Sequence, residues 1–263
     1  MTEQVPKAQV DTRKAHPARV YDWLLGGKDN YEVDRIVGKQ LPLVARRSAR
    51  QNRDFMERAA KWLAGRGVDQ FLDIGTGIPT APNLHHVVQR IIPTARVVYA
   101  DNDPIVLRHA EALLVSTREG KTAYVEADVR RPHVILEHAR HSLDFSRPVA
   151  VSLIALLHFI GDEDDPYGTV RTLVDALAPG SFLAVSHGTF DFEPDGAKTI
   201  AAPYESGGIT VHARTKAEVE RFFEGLDLMA PGVVPAPRWR KDKKRPSEAR
   251  SVVYVGVAAV RAP

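Results

Sequence analysis

From His16 to about Gly65, apolar side chains recur every three or four residues, the period of a helix with one buried face. Val20, Trp23 and Leu24 mark a first helix, and Val33, Ile36 and Val37 a second. Gly26-Gly27 breaks the first, and Leu41-Pro42 ends the second. A third helix is expected over Leu43–Ala64, with Val44, Arg47, Phe55, Ala59 and Trp62 on its inner face. After Gly65-Arg66-Gly67 the pattern becomes short apolar runs alternating with helical stretches. The runs predict strands at 70–74, 95–100, 122–126, 149–154, 182–186 and 252–260. Between them helices are expected around 81–91, 104–116, 134–139, 167–177 and 216–223, the last capped by Thr215. Pro104 suits a first helical turn, and Pro179-Gly180 stops the helix before the fifth strand. Strands separated by helices call for an α/β fold, a parallel sheet covered on both faces.

Composition narrows the class. The chain has 263 residues, 44% hydrophobic and 26% charged, the profile of a soluble globular protein with one large domain or one domain with an appendage. Residues 1–15 are polar and aperiodic and are expected to form a disordered tail. There is no cysteine, which excludes disulfide frameworks, thiol nucleophiles, zinc-thiolate sites and iron–sulfur clusters; no metal site is expected. The first thirty residues lack the apolar stretch of a signal peptide. The longest apolar run, 149–160, is interrupted by Ser152 and His158 and is too short to span a bilayer. A cytoplasmic protein without a membrane partner is expected. The net charge of +3 is local: residues 238–250 hold seven Lys/Arg against two acids, leaving the rest of the chain at −2. That segment reads as a solvated surface loop ahead of an anionic-partner site.

The sharpest chemical signal is Phe71-Leu72-Asp73-Ile74-Gly75-Thr76-Gly77, an apolar strand running into a glycine turn whose backbone can approach a ligand. A dinucleotide motif would place a third glycine where Thr80 stands. Asp73 would repel a pyrophosphate but can accept hydrogen bonds from an ammonium. The second strand ends in Asp101, suited to gripping ribose hydroxyls, and the third runs into Asp128, able to accept from an adenine amino group. Any one of these acids could be a cap or turn residue. Together, at the carboxyl edge of one sheet, they point to a ligand site.

These motifs resemble those of the class I S-adenosylmethionine-dependent methyltransferases, and more closely an actinobacterial subfamily known as DUF574. The subfamily resemblance lies in Ala18-Arg19-Val20-Tyr21-Asp22-Trp23-Leu24-Leu25-Gly26-Gly27-Lys28-Asp29-Asn30-Tyr31 and in Arg50-Gln51-Asn52-Arg53 with Phe55, and it extends from His16 to Val260. It implies a Rossmann-like, doubly wound, mostly parallel seven-stranded sheet over 66–263, with a helical cap over 16–65. S-adenosyl-L-methionine is the implied cofactor. By resemblance, Asp73, Gly75, Thr76 and Gly77 surround its methionine part, Asp101 the ribose, Asn102 the adenine face, and Asp128 with Val129 the adenine edge. Ser152, at the end of the fourth strand, would line the donor and acceptor pocket. Tyr21, Asn30 and Tyr31 would be brought in by the cap, with core packing an equal reading.

Methyl transfer needs alignment, exclusion of water and sometimes a base. His158 and His187, after the fourth and fifth strands, are the candidate bases, against the reading that local hydrogen bonds satisfy each ring. His85-His86 and His138/His141 read as helix-surface residues. No Asn-Pro-Pro-Tyr-type motif follows the fourth strand, so a small-molecule acceptor is expected rather than nucleic acid. The open alternatives are a non-catalytic S-adenosylmethionine-binding regulatory protein and, disfavoured by Asp73, a nicotinamide-dependent oxidoreductase.

Overall fold

The computed structural model describes residues 11–106, 109, 116–240 and 250–261. Three helices come first: α1 (Pro17–Leu25), α2 (Glu32–Gln40) and α3 (Leu43–Ala64). Eight strands follow: β1 (Gln70–Ile74), β2 (Arg96–Asp101), β3 (Lys121–Glu126), β4 (Ala150–Ile154), β5 (Phe182–Gly188), β6 (Asp227–Leu228), β7 (Val234–Pro235) and β8 (Val253–Ala259). They form one sheet in the order β3-β2-β1-β4-β5-β8-β6, with β7 also beside β8. All pairs among β1–β5 are parallel, and β8 runs antiparallel to β5, β6 and β7. The pattern placed six of these strands and the resemblance implied seven; among the described residues there are eight, and β6 and β7, the two that the pattern did not place, are two residues each, too short to carry a period.

The described helices between strands are α4 (Leu84–Gln89), α5 (Pro132–Ala139), α6 (Pro166–Asp175), α7 (Ala202–Ser206) and α8 (Lys216–Arg221). Thr215 caps α8, its hydroxyl accepting the Glu218 N–H while the Glu218 carboxylate accepts the Thr215 N–H. The expected helix at 104–116 begins at Pro104, but 107–108 and 110–115 lie outside the described residues, as do 1–10 of the tail and 241–249 of the basic segment.

Alternation along the strands divides the core in two. Leu72, Val98, Val151, Leu183 and Val185 face α5, α6 and α8 through Ile135, Leu173, Val219 and Phe222. Phe71, Val97, Tyr99, Ala150, Val255 and Val257 face α3 and α4 through Phe55, Met56, Ala59, Leu63, Leu84 and Val88. Arg47, expected on the inner face of α3, is exposed; Ser48 and Asn52 take the buried positions on that half of the helix. His85, expected at a helix surface, is fully buried and holds the Tyr99 hydroxyl through its backbone N–H and Nδ1. A third cluster joins the two ends of the chain: Val20 of α1 and Val37 of α2 pack with Ile200, Tyr204, Ile209 and Val252. The 16–65 block thus divides, with α3 sealing the sheet while α1 and α2 pack on the segment around α7. No helix among the described residues is long and apolar enough to cross a membrane.

Candidate active site

Strand order reverses at β1, whose neighbours are β2 on one side and β4 on the other, and open α/β sheets hold ligands at such a point. A cavity of about 450 Å³ opens there, lined by Asp73, Gly75, Thr76, Gly77, Asp101, Asn102, Asp128 and Val129 from the ends of β1, β2 and β3. Its volume suits a small ligand. Gly75 and Gly77 have φ of +72° and +65°, the left-handed conformation glycine adopts at little cost. A Cβ on Gly75 would also collide with Leu156, 2.8 Å away.

The three acids are held differently. Asp101 is buried and accepts the N–H groups of Gly77 at 2.8 Å and Asp103 at 2.9 Å; burial still lifts its pKa against those donors. Asp73 accepts the Ser152 hydroxyl, and burial raises its pKa to about 6. Ser152 is not itself in the lining; it acts by orienting Asp73. Asp128 accepts Asn102 Nδ2 and Arg130 Nη1, both at 3.2 Å. The arrangement suits a ligand that brings positive charge and several O–H or N–H donors.

The roof comes from the N-terminal block. Ala15, His16, Pro17, Ala18 and Tyr21 line the cavity, so residue 15, expected in a disordered tail, is part of the site. Tyr21 is fixed from both sides: its hydroxyl donates to Ala49 O at 3.0 Å and accepts Asn52 Nδ2 at 2.9 Å. Asn30 and Tyr31 are not brought to the cavity. Asn30 is buried, donating to Asp22 Oδ2 at 2.7 Å and Gly27 O at 3.1 Å. Tyr31 is at the start of α2, 39% exposed, with the Arg19 guanidinium 5.3 Å from its ring centre. The glycines of this block are steric: a Cβ on Gly27 would lie 1.9 Å from Asp22 Oδ1, and one on Gly38 would lie 2.4 Å from the Trp23 ring. Buried Arg19 reaches Asp34 of α2 at 3.6 Å and Asp103 at 3.8 Å. Through Asp103, whose N–H bonds Asp101, the roof is tied to the end of β2.

On the far side the cavity is bounded by Ile154, Ala155, Leu156, Phe159 and Ile160 after β4, and by Ile209, Thr210 and His212. Ala155 is left-handed at φ +56°, held by its N–H on Ser186 Oγ at 2.8 Å. Neither His158 nor His187 belongs to the lining. His187 is fully buried; Nδ1 bonds Gly188 O at 2.8 Å, and Nε2 lies 2.9 Å from Arg214 Nη1. Arginine only donates, so Nε2 is the acceptor and the ring is neutral, its pKa lowered mainly by burial. His158 Nδ1 accepts the Gly188 N–H at 3.3 Å, and burial with Arg214 nearby takes its pKa to about 3. Both nitrogens of His187 are thus engaged within the fold, and His158 holds the Gly188 N–H through Nδ1. Among the lining residues that the sequence reading did not assign to the site are Arg53, which donates to Thr80 O and Pro82 O at 2.6 and 2.8 Å, Glu163 and His212. Arg53 stood within a quoted block; Glu163 and His212 carry no local signal.

Residues 3–261 match the S-adenosyl methyltransferase family model. The chain is similar to a DUF574 family protein from Streptomyces avermitilis MA-4680, at 46% identity over 96% of this chain and 100% of that one, with a TM-score of 0.91. It is also similar to a proposed methyltransferase from Thermobifida fusca YX, at 38% identity over 96% of this chain and 97% of that one, with a TM-score of 0.85. A third likeness, of fold alone, is to human N-acetylserotonin methyltransferase in complex with its cofactor, at 12% identity over 96% of this chain and 64% of that one, TM-score 0.53. No curated protein matches the sequence.

Proposed function

Because the chain belongs to the S-adenosyl methyltransferase family, we propose that it moves the methyl group of S-adenosylmethionine to a small molecule held between the glycine turn and the apolar wall after β4. The observation that carries this reading is the convergence of Asp73, Asp101 and Asp128 on one roofed cavity. The residues fit the cofactor: the place of a Cβ on Gly77 is open except for Ala18 at 3.9 Å, leaving a cradle beside the buried Asp101 carboxylate. Asp101 would hold the ribose hydroxyls, Asp128 and Asn102 the adenine, Asp73 the amino group and Arg53 the carboxylate. When bound, the cofactor supplies the electrophilic methyl and the sulfide leaving group.

The chain's own contribution is position and dryness. The 15–18 segment covers the glycine turn, and Leu156, Phe159 and Ile160 remove water from the acceptor side. His158 and His187 lie outside the lining, and both nitrogens of His187 are engaged, so this reading gives neither a proton to carry. Calorimetry tests the reading: S-adenosylmethionine should bind at about micromolar levels, roughly −8 kcal/mol, with no binding of NAD. NAD binding without adenosyl-compound binding would overturn it.

A further inference from the structure

The acceptor end of the cavity carries two titratable side chains, Glu163 and His212, whose end groups enter no hydrogen bond among the described residues, although the Asp162 carboxylate is close enough to His212 to feel its charge. The turn after β4 reads Asp162-Glu163-Asp164-Asp165. Three of its acids are spent: Asp162 on Arg214 at 2.6 Å, Asp164 on Arg130 at 2.8 Å, and Asp165 on the Gly168 N–H at 2.9 Å, where it caps α6. The Glu163 carboxyl enters no hydrogen bond or ion pair among the described residues. It is folded back over Gly161, where a Cβ would lie 2.3 Å from either oxygen, so the glycine leaves room for the carboxylate at the cavity edge. His212 lines the same end; its backbone N–H is anchored on His158 O at 2.8 Å, and its ring has no hydrogen-bond partner among the described residues.

Charge decides what such an end would accept. The lining holds five carboxyl side chains against the guanidinium groups of Arg53 and Arg130, and both arginines are already bonded. An anionic acceptor would meet repulsion there: among the described residues of the lining, Arg130 is paired with Asp128 and Asp164, and Arg53 is the group the cofactor's own carboxylate would use. An apolar wall beside one uncommitted carboxylate favours a cation on an apolar body. We propose that the acceptor is an amine on a small apolar body, drawn in as its ammonium by Glu163 and relieved of one proton by His212. This rests on the methyl-transfer reading above. The proton passes from nitrogen to the His212 ring, freeing the lone pair. That pair forms the new N–C bond as the methyl–sulfur bond breaks, its electrons staying on sulfur and neutralising the sulfonium. The product leaves as the N-methylated ammonium, and His212 gives its proton to water.

The test uses the full chain in calorimetry. S-adenosylhomocysteine is titrated first, then phenethylamine or 2-phenylethanol into the saturated protein. Phenethylamine should bind at least about tenfold more tightly than the alcohol, and Glu163→Gln should reduce that preference to less than about threefold. Glu163 is exposed, so the variant should melt with the wild type, which separates loss of recognition from loss of fold. Equal binding of the two probes, absence of amine binding, or an amine preference that survives Glu163→Gln each overturns the amine assignment and leaves the cofactor reading standing. Failure of S-adenosylhomocysteine to bind overturns both.

Discussion

Asp101 and Gly77 are joined across two strands: the Gly77 N–H reaches Asp101 Oδ2 at 2.8 Å, so the acid that would take the ribose also sets the shape of the glycine turn. Asp101→Ala removes the ligand contact and two backbone anchors together. Calorimetry should show S-adenosylhomocysteine binding weakened by about 1.5–3 kcal/mol, roughly 10- to 150-fold, with a lower melting temperature. Unchanged affinity would place the ribose elsewhere.

The raised pKa of Asp73, about 6, gives a pH dependence with a definite sign. Folded Asp73 holds its proton more tightly than the unfolded chain, so its contribution to stability is present below pH 4 and lost as pH rises through 6. The loss is on the order of 1–3 kcal/mol and is absent in Asp73→Asn. Ligand binding runs the other way. An ammonium prefers the ionised carboxylate, so S-adenosylhomocysteine affinity should climb between pH 5 and 7 in the wild type and stay flat and weaker in Asp73→Asn. Denaturation and calorimetry across that range read both slopes.

His187→Ala should act on the fold. It strips Arg214 Nη1 of an acceptor inside the core, at a cost of about 1–3 kcal/mol, and activity should fall only as far as the folded fraction does. In the intact protein His158, with its pKa at about 3, stays unprotonated between pH 5 and 8, and burial pushes His187 in the same direction, which ring-proton shifts in NMR can follow. As pH drops below the ordinary histidine range, the unfolded chain takes up protons that these folded rings refuse, and stability decreases.

Gly38→Ala tests the steric reading of the N-terminal block. The added carbon would meet the rigid Trp23 ring at 2.4 Å, forcing α2 away from α1 at a cost of about 1–3 kcal/mol. Gly208→Ala is the control: its surroundings are open, and its φ of +78° alone costs about 1 kcal/mol. Thermal melts should rank the two in that order.

Where the chain signals locally, the sequence could be read. The parallel strands, the Gly75–Gly77 turn and the acids at the strand ends depend on period and on punctuation within a few residues, and β1 falls at 70–74 as expected. The helix expected from 81 starts only at Leu84, after Pro82 and the Asn83 cap. What escaped was tertiary. Nothing near Asn30 announces that the Asp22 carboxylate will claim its amide, nor near His187 that an arginine 27 residues on will fill its free nitrogen. Tyr31 and Arg47 sit where helical spacing alone could not say which face would meet the core. Glu163 and His212 reach the cavity from turns whose paths are set by Arg214, whose Nη2 donates to Ile160 O and to Asp162 Oδ1.

The apolar cluster that binds α1 and α2 to the segment around α7 also bears on how the protein is made. Val20 is synthesised well before its partners Ile200, Tyr204, Ile209 and Val252. At about 5–20 residues per second, the roughly 180 residues between Val20 and Ile200 take about 9–36 s to synthesise. Throughout that interval the two leading helices lack their partners around α7, and the cavity lacks the part of its far wall that Ile209, Thr210 and His212 supply. A cavity with its full lining exists only after His212 has been added, and until Ile200 and Tyr204 follow them the apolar faces of α1 and α2 that meet those residues stay uncovered.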